Sequence, residues 1–169
     1  YMSIQTDDEG KTFLSIFPTL SYEDRLVSLR ELTAIPQPVE DTTALLLQLA
    51  QQSSEEDLLR IEALKVIGLY ADQSQQPMIM RGIRELLCKP DEDDDVQNAA
   101  LQTLAWMPCS EAELRLALDI ICSDTYILVK GAAFALLRAH KAHPFAQHAL
   151  KQLLQHEEFG ASAQRELST

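Results

Sequence analysis

Leu59-Arg60-Ile61-Glu62-Ala63-Leu64-Lys65-Val66-Ile67-Gly68 aligns without gaps on Val96-Gln97-Asn98-Ala99-Ala100-Leu101-Gln102-Thr103-Leu104-Ala105 and on Val129-Lys130-Gly131-Ala132-Ala133-Phe134-Ala135-Leu136-Leu137-Arg138. Each stretch opens on an aliphatic residue followed by Arg, Gln or Lys, places Ala three residues further on, and then a large apolar residue. The capping types Ser54, Asp91 and Asp124 stand five residues upstream of the three aliphatic residues, at intervals of 37 and 33 residues. Such intervals mark solenoids built from helix pairs, in which one pair cannot bury both its faces and must stack on the next.

Outward from these stretches, the prolines at 18, 36, 38, 77, 90, 108 and 144 separate segments whose apolar residues recur at three and four spacing. Proline removes a backbone donor and ends helices, so the pattern predicts helices over 22–34, 39–52, 55–71, 76–89, 93–107, 111–122, 125–140, 144–156 and 159–167. Ser21, Ser54, Ser110 and Asp124 are suitable N-caps, and His143 followed by Pro144 puts proline at a first helical position. Ala63, Ala100 and Ala133 in helix middles let neighbouring helices approach closely. Gly68, Gly82 and Gly131 each cost about 1 kcal/mol relative to Ala inside a helix unless close packing compensates. Residues 1–12 are polar and read as a mobile tail, leaving residues 13–169 as one repeat domain. Tyr1 ahead of Met2 suggests an added residue or a fragment boundary.

The pattern resembles the HEAT-like repeat, and is similar to the short form found in phycobilisome-lyase relatives, where Asp, a spacer and Val-Arg-x-x-Ala-x-x-Ala-Leu open the second helix of each pair. The resemblance covers residues 40–140 and implies an all-α fold, a right-handed α-α solenoid of about four helix pairs. Gln97 departs from it in place of the basic residue, and Glu55 in place of Asp, so a continuous polar ladder between repeats is not expected. The resemblance also implies that the second helices line a concave face.

The 169 residues carry a formal charge of -12, and the average field repels nucleic acid and anionic lipid. Residues 1–95 hold 19 acids against 8 bases, whereas residues 96–169 hold 7 against 6. Cys88, Cys109 and Cys122 are odd in number and lack metal-ribbon spacing, which points to a reducing, cytoplasmic setting, with Cys88 and Cys122 as small packing residues. No apolar run approaches the ~18 residues of a membrane span.

Asp91-Glu92-Asp93-Asp94-Asp95 has neither the alternating ligands nor the turn glycine of a calcium loop. Acids favour a helix N-terminus, yet five adjacent like charges repel one another. In the alignment Glu55, Glu56 and Asp57 fall at 92, 93 and 94, which predicts an acidic ridge along one edge, formed by Glu55, Glu56, Asp57, Asp91, Asp93, Asp94 and Asp95. Off the packing stripe lie Ile61, Lys65 and Leu69, then Asn98, Gln102 and Trp106, then Gly131, Ala135 and Ala139. The groove residues singled out from these are Lys65, Leu69, Asn98, Gln102 and Trp106, with Trp106 either an interface anchor or a core ring ahead of Pro108.

His140, His143, His148 and His156 lack the i, i+4 pairing of a helical zinc site, so no metal is predicted. A phosphate loop, a nucleophile elbow and a recognisable Cys-His-Asn signature are all missing from the sequence, and no catalytic residue or cofactor is assigned. One HEAT-like branch excises alkylated bases through a strongly basic channel, unlike this acidic chain. These readings converge on a non-catalytic module that binds a basic protein, such as an inhibitor or immunity protein. The alternatives are a scaffold or accessory subunit from a longer solenoid, and a lyase-like subunit that positions a cofactor.

Overall fold

The computed structural model describes residues 13–169, so the tail expected over residues 1–12 lies outside the described residues. Every regular element among the described residues is helical. In chain order they are α1 (Tyr22–Glu31), α2 (Val39–Gln51), α3 (Asp57–Tyr70), α4 (Gln76–Leu87), α5 (Asp94–Ala105), α6 (Glu111–Ile121), α7 (Ile127–Ala139), α8 (Pro144–Gln152) and α9 (Gly160–Leu167). Short 3-10 turns occupy Phe17–Thr19, Gln73–Gln75 and Leu153–Gln155. None of these helices is long and apolar enough to cross a membrane.

The start signals explain most boundaries. Ser21 accepts the Asp24 N–H at 3.2 Å and begins α1. Glu113 turns back to accept from both the N–H (2.9 Å) and the hydroxyl (2.8 Å) of Ser110, fixing the start of α6. Three expected caps, Ser54, Asp91 and Asp124, are corrected by two residues each: the residues in the N-cap position are Glu56, Asp93 and Tyr126. The preceding helices end at Gln52, Cys88 and Cys122, so the expected residues still belong to the turn that reverses the chain. Because the displacement is the same each time, the 37- and 33-residue register is preserved.

The chain packs as two compact units, the first ending at Thr103 and the second spanning Leu104–Thr169. In the first unit α2 packs on α3, α1 on α3, and α2 on α4. Thr103 Oγ1 donates to Leu64 O at 3.0 Å and so ties α5 to α3. Leu59, Val96, Ala63, Ala100, Leu64, Leu101 and Ile67 fill this core, at the positions that the alignment assigns to packing. A Cβ on Gly82 would lie 3.0 Å from Leu47, which is the close approach expected of that glycine.

In the second unit α6 packs on α7 and α8, α7 on α8, and α8 on α9. Val129, Ala133, Phe134 and Leu137 are buried in the same register. Phe134 stacks on Phe159 at 5.3 Å, and Arg115 lies over the Phe145 ring at 4.7 Å. Gly131 does not follow expectation: a Cβ there meets nothing within 4 Å, because the position lies off the packing stripe. Gly160 is the constrained glycine, since its Cβ would fall 2.6 Å from Leu154 O. Gly160→Ala is expected to lower stability by about 1–3 kcal/mol through overpacking against backbone, measured by thermal or denaturant unfolding; an unchanged midpoint would mean that α9 can shift at no cost.

Cys88 and Cys122 are corrected as well. Both are exposed C-cap residues, because Leu87 and Ile121 take the last inward positions of α4 and α6. Cys109 is the sheltered thiol; burial, reinforced by the Glu113 charge, pushes it up to about 12 and leaves it protonated and unreactive.

Candidate functional site

The acids of the first unit divide into two groups according to what their carboxylates do. Glu55 lies 3.4 Å from Arg25 Nη1. Glu92 accepts from Arg60 Nη2 at 2.7 Å and from the Asp93 N–H at 3.0 Å. Asp93 accepts the N–H groups of Asp95 (2.9 Å) and Val96 (3.1 Å), satisfying orphan donors at the start of α5. These three side chains are engaged within the fold.

Glu56, Asp57, Asp91, Asp94 and Asp95 are exposed. Asp91 takes the left-handed backbone conformation (φ 59°), which Asp tolerates better than most residues and which turns the chain ahead of α5. The Asp57 carboxyl is raised from its ordinary value by desolvation and then by Asp93 beside it, with Arg60 opposing the shift. The edge therefore concentrates like charge at some cost to the folded state.

Arg25 and Arg60 occupy one repeated position, four residues after the N-caps Ser21 and Glu56. Each guanidinium holds the end of the preceding segment and the acid just before the next N-cap. Arg25 donates from Nε to Phe17 O (3.2 Å) and from Nη2 to Pro18 O (2.7 Å) as well as pairing with Glu55. Arg60 donates from Nε to Ala50 O (2.9 Å), pairs with Glu92, and lies 3.7 Å from Asp57. In the second unit Lys130, four residues after Tyr126, pairs with Glu158 at 3.2 Å. At the intervening repeat the same two positions hold Gln97 and Thr125, neither of them charged.

The ladder is interrupted at Gln97, as the alignment leads one to expect, whereas its first rung, Arg25 four residues after Ser21, lies outside the three aligned helices. Burial alone would raise the Glu92 carboxyl, but the Arg60 hydrogen bond, the Asp93 N–H and the charges of Arg60 and Lys89 outweigh it and hold it below the ordinary range. Lys89 Nζ also donates to Gln51 O, closing the other end of the α2 terminus.

Along the exposed strip of the first unit, Lys65, Leu69 and Gln102 reach solvent, while Ile61 and Asn98 are half-buried. Asn98 Oδ1 is buried without a hydrogen-bond partner. Glu62 lies between Arg30 of α1 (3.4 Å) and Lys65 (3.6 Å), so the strip carries two cations around one sheltered carboxylate. In the second unit Trp106 is 58% exposed, which excludes the core-ring reading. Tyr126, Ile127 and Leu128, at the start of α7, form a second exposed apolar group.

Among the described residues no group of three or more His, Cys, Asp or Glu is arranged to hold a metal ion. His143 Nδ1 accepts the Phe145 N–H at 3.0 Å, and His156 Nδ1 accepts those of Glu158 (3.1 Å) and Phe159 (3.3 Å), so both imidazoles serve helix starts. No family model, curated protein or solved structure matches the chain.

Proposed function

We propose that this chain is a non-catalytic protein-binding module, a right-handed HEAT-like solenoid of about four helix pairs, whose acidic edge and second-helix strip receive a partner with a basic surface. The observation that carries this reading is the division of labour among the acids. Glu55, Glu92 and Asp93 suffice to pin and cap the helices, yet Glu56, Asp94 and Asp95 stand exposed beside them. Surplus like charge destabilises a fold through self-repulsion and is useful for steering a partner of opposite sign. An inhibitor or immunity protein that masks a phosphate-binding surface fits that chemistry.

The scaffold or accessory-subunit reading draws on the exposed apolar turn Tyr126-Ile127-Leu128, a composition suited to a permanent contact. The two readings separate on the partner and its salt dependence. Partners captured from the native host and identified by mass spectrometry are to be measured kinetically against the variant Glu56→Gln/Asp94→Asn/Asp95→Asn. Asp93 is left intact because it caps α5. Association is expected to slow by about tenfold with dissociation little changed, and to fall with salt. An association rate indifferent to the three substitutions would remove the acidic edge from the interface.

A further inference from the structure

We infer that the second unit carries an acid-sensitive fastening of its last two helices, made by His143 at the start of α8 and His156 ahead of α9. The four histidines of the chain lie within residues 140–156, and these two perform the same task. His143 Nδ1 accepts the Phe145 N–H at 3.0 Å. His156 Nδ1 accepts the N–H groups of Glu158 at 3.1 Å and Phe159 at 3.3 Å. A backbone N–H can only donate, so each Nδ1 must present a lone pair and the ring proton must sit on Nε2.

Proton uptake changes both terms of this contact at once. The imidazolium has donors on both nitrogens, so the acceptor disappears and two donors are left facing each other. The new positive charge also lies at a helix N-terminus, where the macrodipole repels it. Because the fastened state requires an Nδ1 lone pair at both rings, proton uptake there favours the unfastened state.

At the start of α8 the charged and titratable groups include Arg115 of α6, over the Phe145 ring, His148, whose ring lies 5.9 Å from that of Phe145, and Arg138, His140 and Lys141 just upstream in the chain. Beside His156 they are Glu157, Glu158 and Lys130 of α7, which pairs with Glu158.

The element released first is α9, eight residues long and too short to persist alone. It is also held by packing on α8 and the Leu153–Gln155 turn, by the Phe134–Phe159 stack, and by the pairing of Glu166 with Arg138 (3.9 Å) and Lys141 (3.7 Å). The first unit contains no histidine. The response is therefore confined to one end of the chain.

Amide hydrogen exchange on the full chain tests this. After correction for intrinsic exchange, protection of the Phe145, Glu158 and Phe159 amides is expected to fall about fivefold to tenfold more between about pH 7.5 and pH 5.5 than that of Leu64 and Ile67 in α3. The double variant His143→Asn/His156→Asn keeps a capping oxygen that does not titrate, and should lose this differential. Equal protection changes in the two units of the unmodified chain would overturn the inference, as would a differential that survives in a folded double variant.

Discussion

Replacing Arg60 by Met is expected to destabilise the protein by about 3–5 kcal/mol, the largest effect of any single substitution considered, because it strands a buried carboxylate. The Arg60 and Glu92 side chains are each only 2% exposed, and one guanidinium serves Glu92, Ala50 O and Asp57. A methionine of similar reach fills the space but supplies no donors, so Glu92 keeps its desolvation cost and loses its main compensation. Arg60→Lys is expected to fall between the two, since a single ammonium cannot span three acceptors held by different elements. The double variant Arg60→Met/Glu92→Met should recover much of the loss, which distinguishes an unpaired charge from poor packing. If the double variant is no more stable than Arg60→Met, the pair is not what Arg60 contributes.

The same pair gives the expected pH dependence. The folded protein holds the Glu92 carboxyl below its unfolded value, so its contribution is present above the ordinary glutamate range, near about 4.3, and is lost as pH falls through the lower folded value. In Arg60→Met the compensation is gone, and the deficit relative to the parent should shrink on acidification as Glu92 takes up a proton. Chemical denaturation at a series of pH values measures both curves.

Trp106→Ala is expected to weaken partner binding by about 30-fold, corresponding to ~2 kcal/mol, while leaving the Tm nearly unchanged. The ring is 58% exposed, so its removal leaves no core cavity. It is also the single Trp of the chain, and exposed aromatic rings with a polar edge are the side chains on which interface energy most often concentrates. Thermal unfolding and partner affinity on this one variant separate the outcomes. Full-strength binding would remove Trp106 from the interface, and a loss of the ~3–5 kcal/mol typical of a buried aromatic would mean that the ring packs in solution.

The helices and their packing register follow from local information in the sequence. Leu59, Val96 and Val129, and Ala63, Ala100 and Ala133, are all buried as the alignment assigns them. Helical periodicity and proline punctuation depend on residues three or four apart, so a single chain displays them in full. The repeat interval is legible for the same reason, and it survives even where the caps do not. Ser54, Asp91 and Asp124 have suitable side chains, but the length of the turn that reverses direction decides which residue begins the next helix.

What only the tertiary structure decided is the use of each charge. Glu92 and Asp94 stand two residues apart in one acidic run, yet Glu92 is buried on Arg60 and Asp94 is exposed. The difference arises because Arg60 arrives from 32 residues away, on the helix that happens to lie alongside. Arg25 and Glu55, 30 residues apart, and Lys130 and Glu158, 28 apart, are joined in the same way. The exposure of Trp106, Cys88 and Cys122 likewise depends on which neighbour covers a helix end. Periodicity fixes which face of a helix turns inward, but a charge or a helix end gains its partner only when another helix is set beside it.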